Sequence, residues 1–187
     1  KRIVLVALTH RDYMKDANFG AFDSIEKLYG YNSTDFIEYL VQNKIHLVIR
    51  DHALGKSKKY EKYEKISSYI GHEILPELND IILAFDVIIT DYSGLYLDLL
   101  KLDIQLGLLR FPTDKFVKER GLILPDKVLS GPLVIESMES LLNLFIKEGV
   151  DNSIWEFRKG LSNLFFEVDF LKCIDKNLEC IEGEILK

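Results

Sequence analysis

Four short runs of continuous apolar and β-branched residues constrain this chain more than any other feature. They are Ile3-Val4-Leu5-Val6-Ala7-Leu8, Ile45-His46-Leu47-Val48-Ile49, Val87-Ile88-Ile89-Thr90 and the stretch from Ile104 to Leu109. They are too short for buried helices, and they do not alternate apolar with polar. Strands of this kind are covered on both faces, which points to a parallel sheet. Stretches of helical spacing lie between them. Phe36, Ile37, Tyr39, Leu40 and Val41 follow Ser33-Thr34-Asp35, a cluster suited to capping a helix. Leu78, Ile81, Ile82 and Phe85 form an i, i+3, i+4, i+7 face, and Leu95 to Leu102 predicts a helix leaving the third run directly. Weaker strands are expected near Ile66–Ile70 and Pro132–Ile135. From there the spacing is helical over Met138–Lys147, Ser153–Phe165 and Phe170 to about Glu182. The fold class that follows is α/β: an open, doubly wound parallel sheet with right-handed crossovers and a helical C-terminal tail.

Composition narrows the function classes. The 187 residues carry a net charge of −6, which argues against a protein that coats nucleic acid. The charge is uneven. Residues 1–65 hold 12 Lys and Arg against 9 Asp and Glu, and residues 66–187 hold 12 against 21. A mildly basic third on an acidic body fits a local anion site. Cys173 and Cys180 are two helical turns apart, about 10 Å by helix rise, too far to bridge within one helix. They read as reduced core thiols of a cytosolic protein. No apolar run reaches the roughly 18 residues of a membrane span, and no signal-peptide layout is present. The chain starts almost directly on a strand, as the second half of a longer polypeptide would. One domain over residues 1–187 is expected, with 136–187 as the mostly helical tail.

In a doubly wound sheet, ligands bind beyond the carboxyl ends of the strands where the strand order reverses. With the order 3-2-1-4-5-6, that point lies between the first and fourth strands. Thr9-His10-Arg11-Asp12 follows strand 1, Arg50-Asp51-His52 follows strand 2, and Thr90-Asp91-Tyr92-Ser93-Gly94 follows strand 4. A helix carrying Asp98 comes next. Ser93 and Gly94 at that helix start would offer backbone N–H groups and a positive dipole end to an anion. Gly94 lacks a Cβ, so a phosphate can approach its backbone closely. His52 is the acid/base candidate, beside Arg50. Each residue also has a plain structural reading, as a cap, a turn former or a solvated charge. The segment Lys56 to Lys65 reads as a solvated helix face or as an attractor for an anionic polymer or membrane surface. Neither the G-x-G-x-x-G fingerprint nor a Walker P-loop occurs, and the histidines lack metal-ligand spacing.

These strings resemble those of the CDP-glycerol glycerophosphotransferases of teichoic acid and capsule synthesis. Thr9-His10-Arg11-Asp12 resembles the family's P-T-x-R-D. Leu47-Val48-Ile49-Arg50-Asp51-His52-Ala53 is similar to L-L-I-R-L-H-P. Asp86 to Asp98 is similar to D-V-L-I-T-D-Y-S-S-x-x-x-D, the most diagnostic of the set. Asp114, Phe116, Arg120 and Gly121 match D-x-x-x-Y-x-x-x-R-G with Phe for Tyr, and Gly131-Pro132 matches a following G-P. The match runs from about residue 3 to 135.

The resemblance implies the C-terminal, donor-nucleotide half of a GT-B enzyme, with a Rossmann-like sheet. It implies transfer of glycerol or ribitol phosphate from a CDP-polyol to the hydroxyl end of a lipid-linked polymer, at the cytoplasmic face of the membrane. The partners implied are that CDP-polyol, the polymer acceptor and an N-terminal domain of the same enzyme, with no metal or other cofactor. By the same resemblance Ser93 and Gly94 hold the diphosphate and Asp98 contacts donor hydroxyls. His52 serves the phosphate or leaving group, Arg11 and Arg120 supply charge, and Thr9 and Asp91 line the donor site. Gly94 replaces the family's second Ser, and Ala53 replaces a Pro. The family's W-H-G motif is absent, the sole tryptophan being Trp155. A nucleotide-sugar GT-B donor domain and a non-catalytic nucleotide-binding module stay open as alternatives.

Overall fold

Residues two apart along each central strand enter the same apolar layer, and their neighbours enter the opposite one. Val4 and Val6 of β1 (Arg2–Ala7) join Leu47 and Ile49 of β2 (Ile45–Arg50) and Val87 and Ile89 of β4 (Val87–Thr90) in one layer. Leu5, Ala7, Val48 and Ile88 join Leu106 and Leu108 of β5 (Gln105–Leu108) in the other. Burial on both faces is why these segments read as continuous apolar runs. The computed structural model describes residues 1–9, 21–50, 61–110, 121–122 and 125–166. Within them, β3 (Ser67–Ile70) completes a five-stranded sheet ordered β3-β2-β1-β4-β5, parallel throughout. The fold is the expected Rossmann-like α/β arrangement, with the order reversing between β1 and β4.

The first layer is closed by α1 (Ala21–Tyr29), α2 (Ser33–Gln42) and α5 (Met138–Ile146), through Phe22, Ile25, Phe36, Leu40, Leu141 and Phe145. The second is closed by a 3₁₀ segment over Leu78–Ala84, by α3 (Leu95–Asp98) and by α4 (Asp126–Ser130). The long α6 (Asn152–Phe166) joins them through Leu161. A fully buried Leu or Ile contributes roughly 1.5–3 kcal/mol relative to exposure, so the two layers dominate the stability. No helix among the described residues is long and apolar enough to cross a membrane.

Several expectations are corrected. Of the Leu78–Phe85 face, Leu78–Ala84 is a 3₁₀ segment and Phe85 its extended cap: only Ile82 within the segment is deeply buried, so it lacks the apolar stripe that packs an α-helix. α2 is capped by Asn32, one residue before the expected cluster, whose side-chain oxygen accepts from the Thr34 amide at 2.9 Å. The helix expected over Leu95–Leu102 has regular form only to Asp98. Beyond it the buried Arg158 guanidinium of α6 donates to the carbonyls of Leu99 at 2.6 Å, Leu100 at 3.3 Å and Ile104 at 2.8 Å, and to that of Leu102. The Leu99 and Leu102 carbonyls also accept the amides of Leu102 at 3.1 Å and Ile104 at 2.9 Å, so the chain winds tightly around the guanidinium instead of extending an i, i+4 ladder.

The Pro132–Ile135 strand is a 3₁₀ turn over Gly131–Leu133 and a single bridge between Leu108 and Val134. Pro132 has no N–H to extend a ladder. Gly131 has φ +41°, and a Cβ there would lie 2.4 Å from the Phe157 ring of α6, so the tail helix stands directly on this glycine. The basic segment ends on a buried anchor: Tyr63 stacks on Phe22 with centroids 3.8 Å apart, and its hydroxyl pairs with that of Tyr31 at 2.8 Å. The helix expected from Phe170, with Cys173 and Cys180, lies outside the described residues.

Candidate functional site

The reversal between β1 and β4 sends the chain to opposite faces of the sheet and opens a crevice at their carboxyl ends. The structure builds that place tightly. The Thr90 hydroxyl donates to the Ala7 carbonyl at 2.6 Å, below the surface. One residue further on, the Thr9 amide and hydroxyl both donate to Asp91 Oδ1, at 2.9 and 2.6 Å. Asp91 is fully enclosed. Thr9 and Asp91, read from sequence as two residues of one site, thus clasp the ends of two neighbouring strands. A carboxylate that accepts from both an amide and a hydroxyl is held firmly, since bonds to charged acceptors are the stronger kind.

Past this clasp the chain makes the turn Asp91–Gly94. Ser93 is half-buried, and its Oγ accepts from the Leu95 amide at 3.2 Å. Gly94 is exposed and has an ordinary helical φ of −59°, with nothing within 4 Å of the place a Cβ would take. The fold itself therefore does not demand glycine there. α3 has four residues, so its dipole is small. What the turn offers an anion is its local N–H groups and the Ser93 hydroxyl, rather than a helix dipole. Asp98, the exposed last residue of α3, lies on the wall of a groove of about 330 Å³ with Asn79, Lys101 and Phe166.

Among the described residues, the most connected side chain at this rim was not singled out by the sequence. Arg110 follows the end of β5 by two residues. Its Nη1 donates to the Asp91 carbonyl at 2.7 Å, and its Nε donates to Asp126 Oδ1 at 2.8 Å. Its guanidinium lies 4.5 Å from the centre of the Tyr92 ring. Its side chain is 9% exposed, against 37% for Asp126, so the guanidinium is withdrawn from water while the carboxylate is partly solvated. Burial pushes the nearby Tyr96 phenol above its ordinary pKa, against an opposing pull from Arg110. The signal that would have found Arg110 was present: a charged residue directly after an apolar run, the same rule that drew attention to strands 1, 2 and 4.

Arg50 turns toward the loop after β3, where it donates to the carbonyls of Gly71 at 3.0 Å and Pro76 at 3.1 Å. His46 is held within the sheet, its Nε2 2.8 Å from the Ser68 hydroxyl. His52, Arg11 and Arg120 lie outside the described residues, as does His10. The structure brings Thr9 and Asp91 into contact, sets Ser93 and Gly94 on the turn that follows, and places Asp98 one helical turn beyond. Among the described residues no cluster of three or more His, Cys, Asp or Glu side chains is able to hold a metal ion.

Comparison with known proteins agrees with this architecture. The profile of the family described as CDP-Glycerol:Poly(glycerophosphate) glycerophosphotransferase matches residues 1–170. Among solved structures, the wall teichoic acid polymerase TagF is similar with a TM-score of 0.54 at 17% identity, covering 100% of this chain and 45% of that one. A histidine-to-asparagine variant of TagF gives 0.60 at 19% identity, over 99% and 44%. A histidine-to-alanine variant gives 0.51 at 17%, over 89% and 38%. At these identities the likeness shows the fold, and the chain spans less than half of the polymerase. No curated protein matches the sequence.

Proposed function

The chain belongs to the CDP-glycerol:poly(glycerophosphate) glycerophosphotransferase family, and on that premise we propose that it supplies the CDP-donor site of a polyol-phosphate transferase. The donor is CDP-glycerol or a related CDP-polyol. The acceptor is the hydroxyl end of a lipid-linked teichoic acid or capsule polymer, which puts the enzyme at the cytoplasmic face of the membrane. In the reaction, the acceptor oxygen attacks the phosphorus that carries the polyol. The bond from that phosphorus to the bridging oxygen breaks, CMP leaves, and the acceptor proton passes to a base.

The observation that carries this reading is the Thr9–Asp91 clasp at the point where the strand order reverses, with Ser93 and Gly94 on the turn just beyond it. A diphosphate lying across that turn would meet the Ser93 hydroxyl and local N–H groups. We assign Arg11 and Arg120 to its charge, and His52 to the leaving phosphate as a hydrogen-bond donor. Asp98 is assigned to the donor hydroxyls. The base for the acceptor is assigned to an N-terminal domain, because no W-H-G string occurs in these residues. The reading assigns charge neutralisation to arginine side chains and needs no metal.

Calorimetric titration of the chain with CDP, CDP-glycerol and a UDP-N-acetylhexosamine tests it. Binding of the cytidine ligands at micromolar to millimolar affinity is expected, with Ser93→Ala weakening CDP about tenfold, the scale of one hydrogen bond to a charged group. A folded chain that binds no cytidine nucleotide overturns the reading. A preference for the UDP-sugar replaces it with a nucleotide-sugar donor domain.

A further inference from the structure

We propose that Arg110 is the positioning residue of the Asp91–Gly94 turn, holding it in the shape that receives a diphosphate. The inference rests on the donor-site reading above. Three separate contacts fix the guanidinium. Nε is tied to Asp126 Oδ1 at the start of α4, Nη1 to the Asp91 carbonyl, and its face to the Tyr92 ring. Nη1 also donates to the Leu109 carbonyl at 3.2 Å, which joins the side chain to its own strand end. That strand end is itself tied to β4, since the Leu109 amide donates to the Thr90 carbonyl at 2.8 Å. Arg110 therefore fixes both the carbonyl of Asp91 and the ring of Tyr92, the two residues directly before Ser93.

The Thr9–Asp91 clasp fixes the same residue from the other side. Held at its carboxylate by β1 and at its carbonyl by Arg110, Asp91 presents the rest of the turn in one orientation. Ser93 and Gly94 are tied forward into α3: Ser93 Oγ accepts from the Leu95 amide, and the Gly94 carbonyl accepts from the Leu97 amide at 3.0 Å. Their placement relative to the strand ends follows from what holds Asp91 and Tyr92. A planar fork with a stacking face does this, and a lysine ammonium does not, because it offers one point of charge on a flexible stem. Donors preorganised toward a phosphate lose their effect when displaced by about 1 Å.

The test uses the full chain with Arg110→Lys, Arg110→Met and Asp126→Asn. Two quantities are read: the NMR shifts of the Ser93, Gly94 and Leu95 amides in the free protein, and the Kd for CDP well below each variant's Tm. Both Arg110 variants should move the three amides while leaving those of β2 in place, and should raise the Kd about tenfold. Lys should not rescue. Asp126→Asn, which weakens the hold on Nε, should shift the same amides by less. A merely structural role would lower Tm and leave the Kd of the folded protein unchanged, which overturns the proposal. Full affinity in Arg110→Lys overturns it too, because charge alone would then suffice. Should Arg110→Met fail to fold, the other two variants decide. A wild-type chain that binds no CDP removes the donor-site reading, and the amide shifts still judge whether Arg110 sets the turn.

Discussion

The two ends of β5 are each held by an arginine, and the two are put to different ends. Before Gln105 the chain turns through Leu99 to Ile104, and Arg158 takes four of its carbonyls from the interior of the protein. Arg158 is fully buried, with Trp155 5.2 Å from its guanidinium carbon. Burial draws its pKa down, and Asp103 pushes it up. Its four hydrogen bonds all go to backbone carbonyls. After Leu108 the chain reaches Arg110, which is anchored as firmly but sits under an open turn at the rim. The same chemistry closes one end of the strand and presents the other. The polar groups at the closed end are spent inside the fold, and those at the open end hold a turn that reaches the surface at Gly94.

The largest effect is expected at the closed end. Arg158→Met removes four hydrogen bonds to interior carbonyls, two of which keep a backbone amide, and should cost about 4 kcal/mol, lowering Tm by about 10 °C, while the folded fraction keeps its affinity for CDP. Thermal melts with and without CDP check both halves, and a loss of affinity larger than the loss of stability would erase the distinction between the ends. At the open end, Thr9→Val removes one of Thr9's two bonds to Asp91. It should cost about 1.5–3 kcal/mol by urea denaturation, with the β1 and β4 strands still paired.

A smaller test lies in β2, close to its amino end. Burial, with some help from Lys1, lowers the His46 pKa from its ordinary 6.5. The folded state thus favours the neutral ring. Its contribution is complete above about pH 6.5 and is lost as pH falls through the lowered value. His46→Gln should flatten this part of a stability–pH curve, and an unchanged slope would remove His46 as its source. The smallest effect is expected at Gly94. Gly94→Ser should leave stability within about 0.5 kcal/mol, since φ is ordinary and the Cβ position is open. A larger loss would mean the open end is packed more tightly than it looks.

The strands and their order were legible because burial on both faces leaves no polar alternation, and a parallel sheet has few ways to connect. The place of the strand-order reversal, where the candidate site is proposed, followed from that order. The length of α3 was not legible, because the turn that follows it winds around a guanidinium 58 residues further along the chain than Leu100. The 3₁₀ segment failed for a related reason: apolar residues at helical spacing were present, but the sheet accepts only two of them deeply. Asn32 was displaced by one position, the ordinary uncertainty of a cap among several good capping residues. Arg110 was missed although its setting was plain, because its partners, Asp91, Tyr92 and Asp126, converge only in three dimensions.

The dependence of the Leu99–Ile104 turn on α6 bears on how short a self-sufficient version of this protein can be. The strings that resemble the family stop near residue 135, and a boundary drawn there would look natural on paper. It would remove Arg158, which secures the entry to β5, and Phe157, whose ring rests on Gly131. Residues 136–166 are better regarded as the closing piece of the domain than as an extension to it. Limited proteolysis should accordingly release no stable fragment ending before Leu161.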